Sequence, residues 1–147
     1  MAFIIRDLLK EDRPGWENLW GGYLDFYEAQ MEAVTIEVTW SRLLDPAEPM
    51  MALVAVDSGT HELIGLVHCV FHRGTWAVGD FCYLEDLFVS HSARKQGVAR
   101  ALIESVYMRA DARKCERVYW LTHETNTVAR ALYDQVAVNK GFIQYRR

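Results

Sequence analysis

Three apolar runs, Met51–Val56, Leu63–His72 and Phe81–Val89, follow one another through the middle of the chain and constrain its fold most. Each has strand length, and the turn-like Asp57-Ser58-Gly59-Thr60 between the first two predicts a hairpin. Before and after them the periodicity changes. Asp12 and Pro14 open a helix that carries Trp16, Leu19, Trp20, Tyr23 and Tyr27 at helical spacing, with Gly21-Gly22 as a place to kink. A second helix is predicted over Val38–Leu44, stopping before Pro46. Phe3–Arg6 reads as a first strand. Past the third run, Ala99, Leu102, Ile103, Val106 and Ala110 form one helical stripe. Val118–Thr122 reads as a strand, Ala129, Leu132, Tyr133 and Val136 as another stripe, and Phe142–Arg146 as a closing strand. A strand–helix–strand crossover after early hairpins implies a mixed sheet with helices packed on it, an α/β or α+β domain spanning residues 1–147.

Composition narrows the function. The 147 residues carry 16 Lys+Arg against 20 Asp+Glu, a net charge of −4, with 51% hydrophobic residues and 5 Trp, 7 Tyr and 6 Phe. That aromatic content excludes a disordered chain. The mild acidity argues against a nucleic-acid partner, which calls for a basic face. No apolar run approaches the roughly 18 residues of a membrane span. The start, Met1-Ala2-Phe3-Ile4-Ile5-Arg6-Asp7, is too soon charged for a signal peptide. Cys69, Cys82 and Cys115 have no metal-ligand spacing and read as reduced thiols, so a cytoplasmic location is expected.

The chemistry concentrates in Tyr83-Leu84-Glu85-Asp86-Leu87-Phe88-Val89 and the following Arg94-Lys95-Gln96-Gly97-Val98-Ala99. A buried strand should be almost continuously apolar, yet two carboxylates interrupt this one. Alternation sends Glu85 and Asp86 to opposite faces, and neither is cheap to bury unpaired. The basic, glycine-containing turn then enters a helix, whose first N–H groups are unpaired and form an anion site suited to a pyrophosphate. Neither the P-loop nor the dinucleotide Gly-x-Gly-x-x-Gly pattern is present.

With the later Asn126…Ala129…Leu132-Tyr133, this arrangement resembles the GNAT superfamily of N-acetyltransferases, most closely its diamine (spermidine/spermine) and histone/polyamine acetyltransferase-like branch. The likeness is strongest over residues 50–147 and departs where Val136–Lys140 displace Gly141-Phe142 from the usual spacing. It implies a GNAT fold, with a splayed parallel strand pair and helices on both faces of the sheet. It also implies acetyl-CoA as cosubstrate, held by Leu87, Phe88, Val89, by Arg94, Lys95, Gln96, Gly97, Val98 and Ala99, and by Asn126 and Ala129. The acceptor would be a small primary amine or a lysine, and the assembly a homodimer.

An alkyl ammonium, pKa roughly 10.4, is neutral in about one molecule in 2,500 at pH 7, a cost of about 4.6 kcal/mol. By the resemblance, Glu85 is the base that removes the proton, directly or through water, and a backbone N–H near Leu87 meets the oxyanion. Tyr133 would return a proton to the thiolate. On spacing alone Tyr133 is a core residue, and only the resemblance makes it catalytic. Asp86 reads as structural or as a second link in the proton path.

Other constellations carry less. His68 and His72 would lie about 13 Å apart along a strand, too far to share a metal, so no metal site is expected. His68 and Cys69 point opposite ways and make no catalytic pair. Asp25, Glu28 and Glu32 form either a solvated acidic face or a rim that attracts a polyamine. Trp40 and Trp76 line an amine channel or belong to the core. Two other functions remain open at this stage, a non-catalytic acyl-CoA-binding module and a nucleotide-phosphate hydrolase using the same loop.

Overall fold

The computed structural model describes residues 1–147. Its strands are β1 (Phe3–Asp7), β2 (Met50–Asp57), β3 (Leu63–His72), β4 (Phe81–Val89) and β5 (Arg117–Tyr119), and its helices are α1 (Arg13–Phe26), α2 (Ala33–Leu44), α3 (Val98–Ala112) and α4 (Thr127–Val136). The strands form one sheet in the order β1-β2-β3-β4-β5. The first four pair antiparallel, and β4 and β5 pair parallel across the α3 crossover. This is the mixed α/β sheet that the apolar runs predict. No helix is long and apolar enough to cross a membrane.

Alternation along the central strands gives each face its own core. On one face Leu53, Ala55, Val67, Cys69, Phe71 and Leu84 meet the α3 stripe of Val98, Leu102, Ile103, Val106 and Ala110. On the other, Ala52, Val54, Val56 and Leu66 meet Trp16, Leu19 and Trp20 of α1 and Trp40 and Leu43 of α2. Trp40 is therefore a core residue, whereas Trp76 is 88% exposed.

The bulge in β4 matters most for function. His68 pairs with Asp86 and Cys69 with Leu84, so Glu85 is an extra residue with no partner on β3. A bulge resets side-chain alternation and bends its strand. Leu84 and Leu87 consequently share the α3 face, and Asp86 turns with Phe88 toward α1. The bend also ends the pairing with β5, which stops at Tyr83↔Tyr119. The strand expected over Val118–Thr122 is thus limited to Arg117–Tyr119, because residues 120–122 have no neighbour to pair with.

Three other expectations need correction. The helix α1 runs uninterrupted through Gly21-Gly22. A Cβ on Gly22 would lie 3.0 Å from the Phe88 ring, so the missing side chain lets α1 lie close against β4. The helix α2 starts at Ala33 rather than Val38. Phe142–Arg146 forms no strand: Gly141 turns the chain at φ 83°, and Phe142 and Tyr145 are each 90% exposed. No strand lies alongside Phe142–Arg146 to pair with it, since the sheet ends at β5.

The start of α1 is held by a bidentate ion pair. Arg6 on β1 donates to both Asp12 oxygens at 2.7 and 2.9 Å, and Asp12 also accepts the Leu9 N–H at 2.7 Å. The Arg6 hydrogen bond, aided by the Leu9 N–H, holds the Asp12 carboxyl below its ordinary value against the opposing effect of burial. Stability from this depressed group is complete above the ordinary carboxylate pKa of roughly 3.9 and is lost as pH falls through the lower folded value. Asp12→Asn is expected to cost about 1–3 kcal/mol at pH 7 in urea unfolding, with the difference from wild type shrinking as pH falls below about 4.

Candidate active site

Where β4 and β5 part, a cleft opens with the unpaired edge of β4 as its floor. Glu85 sits at the bulge, and Leu87, Phe88 and Val89 continue the free edge. A short turn, His91–Ala93, leads from the end of this edge toward the N-terminus of α3. Lys95 takes a left-handed conformation, φ 63°, and Gly97 another, φ 84°, immediately before the first turn of α3. A Cβ on Gly97 would meet nothing within 4 Å, so the space before this helix start is open. No side chain caps the helix, and Val98, Ala99 and Arg100 precede its first i→i−4 bond, from Ala101 N–H to Gly97. Their amides present positive dipole ends to an anion.

The side chains of the loop divide their work. Arg94 donates from Nε to the Val89 carbonyl at 3.0 Å, and its guanidinium lies over the rings of Phe88 and Phe26. It therefore ties the loop to the end of β4 and to α1, a packing role that its charge alone did not announce. Gln96 donates to the Ser92 carbonyl at 3.4 Å and steadies the same turn. Lys95 is exposed, and Val98 is buried in the core.

Across the cleft stands α4. Its N-cap residue Asn126 donates to Thr122 Oγ1 at 3.3 Å instead of capping the helix. Ala129 and Tyr133 are half-buried on its inner side, and Tyr133 meets Trp120 edge-on with ring centroids 5.4 Å apart. Burial, with a smaller contribution from Tyr27, pushes the Tyr133 phenol up to about 12. The phenol thus keeps its proton across the physiological range and can donate it.

The third wall is the end of α1. Tyr23 stacks on Trp20 and meets Phe88 edge-on, and Tyr27 lies 5.9 Å from the ring of His123. A cavity of about 330 Å³ opens between Phe26, Tyr27, Glu28, His123, Thr125 and Asn126. Of the three acidic residues of the α1 region, Glu28 lines this cavity, while Asp25 and Glu32 are exposed.

The two carboxylates differ in environment. Glu85 reaches the surface, yet the protein packed around it withdraws enough hydration to raise its carboxyl above the ordinary value, with the Asp86 charge adding to the rise and His68 opposing it. Asp86 is inward and accepts from His68 Nδ1 at 3.0 Å. Burial first, then the charge and hydrogen bonding of Asp86, raises the Tyr23 phenol strongly. Tyr27 is raised by burial and by the Asp86 charge, with Tyr23 opposing the rise. Tyr27 thus lies within electrostatic reach of both Asp86 and Tyr133.

Residue patterns single out Glu85 and the loop before α3, and only the resemblance singles out Tyr133. They do not pair His68 with Asp86 or bring Tyr23 and Tyr27 near that carboxylate. The signal was present as Trp16, Trp20, Tyr23 and Tyr27 on one helical stripe, since buried indole and phenol groups need polar partners.

A parallel strand pair that parts at a bulge thus presents a free backbone edge, followed by an uncapped helix start. The acetyltransferase (GNAT) family matches residues 5–137, and the chain belongs to this family of acetyl-CoA-dependent acetyltransferases. It is 34% identical over 144 residues to the D-amino-acid N-acetyltransferase HPA3 of Saccharomyces cerevisiae, covering 98% of this chain and 89% of that one. Its fold matches a ribosomal-protein-alanine N-acetyltransferase from Brucella melitensis biovar Abortus 2308, with TM-score 0.81, 20% identity and 99% of each chain covered. It also matches AAC(6')-Iy, solved with a CoA-containing bisubstrate analog, with TM-score 0.82, 18% identity and coverage of 100% and 98%.

The open space at Gly97 generates a prediction. Gly97→Ala meets no clash, so its whole cost is the left-handed backbone, about 1–2 kcal/mol. The expected result is a melting temperature lower by about 3–6 °C and CoA binding weakened about tenfold by calorimetry.

Proposed function

We propose that this chain transfers the acetyl group of acetyl-CoA to a small primary amine by direct attack within a ternary complex. The observation that carries this reading is the cleft itself. A carboxylate of raised pKa stands at the bulge beside the free β4 edge, and a protonated phenol on α4 lies within electrostatic reach of Tyr27, which also senses Asp86.

The free edge and the α3 amides fit the cosubstrate. The backbone of Leu87, Phe88 and Val89 can pair with an extended amide chain as an added strand does. The amides of Val98 and Ala99, opened by Gly97, can receive a pyrophosphate, with Arg94, Lys95 and Gln96 shaping that loop. Asn126 and Ala129 border the same cleft from α4. Bound acetyl-CoA supplies an activated thioester.

Glu85 then takes a proton from the acceptor ammonium, directly or through one water, and its raised pKa brings its basicity closer to neutral pH. A backbone N–H of the β4 edge near Leu87 donates to the developing oxyanion. Tyr133 donates its phenolic proton to the departing sulfur. No side chain needs to carry the acetyl group.

Two acceptor classes have specific support. The identity with the yeast D-amino-acid enzyme extends over nearly the whole chain and favours amino acids. The three carboxylates Glu28, Glu85 and Asp86 around the cleft favour a cation such as a polyamine. A thiol-release assay with acetyl-CoA against D- and L-amino acids, polyamines, aminoglycosides and lysine peptides separates them. Lack of turnover with every amine would leave a non-catalytic acyl-CoA-binding module.

Tyr133→Phe is expected to lower kcat about 100-fold while CoA affinity, read by calorimetry, stays unchanged. An unaltered kcat removes Tyr133 from the mechanism. In wild type, kcat/KM should rise with pH through the elevated Glu85 pKa, because the base must be ionised to act. Glu85→Gln should abolish that limb and lower kcat/KM about 100-fold; persistence of the limb assigns it to another group.

A further inference from the structure

Behind the cleft lies a buried hydrogen-bond chain that joins α1, β3 and β4. Trp16 Nε1 and His68 Nε2 are 3.0 Å apart, and His68 Nδ1 and Asp86 Oδ2 are 3.0 Å apart. Trp16 is fully buried, His68 is 3% exposed, and the Asp86 side chain retains 14% exposure. An indole N–H can only donate. His68 Nε2 must therefore accept, which leaves the ring proton on Nδ1, where it donates to Asp86.

The direction of this chain matters. In a nucleophile-activating triad the imidazole turns its basic nitrogen toward the reacting group. Here that nitrogen is closed off by tryptophan, and the protonated side is presented to a carboxylate. His68 is built as a fixed donor and not as a base. One Asp86 oxygen is committed to His68, while the carboxylate keeps 14% exposure and so leaves its other oxygen available to a partner from outside. The charged or titratable groups facing this chain are Tyr23 and Tyr27 on α1 and Glu85 on β4; β2 places Ala52 beside His68, and α2 contributes Trp40.

We propose that Asp86 is the acceptor-binding carboxylate, receiving a hydrogen bond from the substrate's primary ammonium. His68, locked by Trp16 as the Nδ1–H tautomer, is the positioning residue that aims it. The division of labour follows from the bulge. Glu85, at the surface, exchanges the proton, and Asp86, anchored from behind, holds the nitrogen in place. The proposal rests on the acetyl-transfer reading for its substrate, but the tautomer and the ammonium site are measurable without turnover.

The test has two parts on the full-length protein. Long-range nitrogen–proton NMR of the free protein is expected to show His68 protonated at Nδ1 and bare at Nε2, with Trp16→Phe removing this preference. Calorimetry on CoA-loaded protein then measures spermidine and D-phenylalanine, which span the two acceptor classes. His68→Leu is expected to weaken the better-bound amine about tenfold, and Asp86→Asn by at least as much, with CoA affinity unchanged. His68→Asn, whose side-chain amide can still donate, should recover most of the loss. An Nε2–H tautomer in wild type overturns the proposal. So does equal amine binding by the Leu and Asn variants of His68, or failure of both amines to bind wild type. Normal amine binding and the expected tautomer without acetyl transfer would instead overturn the catalytic reading and leave the ammonium site standing.

Discussion

One extra residue in β4 organises the functional half of this protein. A strand paired on both sides would offer an incoming chain no hydrogen-bonding groups. By placing Glu85 opposite nothing, the bulge bends β4 away from β5 after Tyr83 and exposes a backbone edge within a sheet. The same residue resets the alternation, turning Asp86 toward α1 while Leu87 and Val89 stay in the α3 core. The free β4 edge, the surface position of Glu85 and the half-buried position of Asp86 are thus three consequences of one irregularity.

The sheet can carry that irregularity because both faces are tightly packed around it. The α3 stripe anchors one side, and the Trp16–Trp20–Trp40 cluster the other. The α1 side is unusual in burying polar tips along with aromatic area. Trp16 finds His68 and His68 finds Asp86, whereas the buried Trp20 N–H has no partner. Buried polar groups left unpaired are costly, so the satisfied pairs fix how α1 sits on the sheet. Arg6 and Asp12 set where that helix begins, and Gly22 lets it approach Phe88. Together these contacts carry Tyr23 and Tyr27 into the cleft.

Charge is distributed accordingly. The net −4 conceals a helix start and a basic loop at one end of the groove, suited to an anionic cosubstrate, and Glu28, Glu85 and Asp86 at the other, suited to a cation. Arg94 adds a packing role to its charge, with its Nε bonded to Val89 and its guanidinium face over Phe88 and Phe26.

Much of this was legible in the residues themselves. The runs Leu63–His72 and Phe81–Val89 coincide with β3 and β4, because apolar runs between turn residues have few ways to hide from water. The helix start at Arg94 to Ala99 and the helical stripe of Leu132-Tyr133 were readable because both patterns are local. The length of β5, the fate of Phe142–Arg146 and the direction of Asp86 were not, since each depends on what lies alongside in space. Strand alternation predicts opposite faces for Glu85 and Asp86, but it cannot reveal that a residue has been inserted into the ladder. Nor can spacing pair Trp16 with His68, which are distant in sequence and meet only when α1 packs on β3. The residue pattern alone laid out the central strands, the start of α3 and the two carboxylates within β4. Only the tertiary structure decided which carboxylate faces solvent and which is gripped from behind, because both register and hydrogen-bond partners are properties of neighbouring segments.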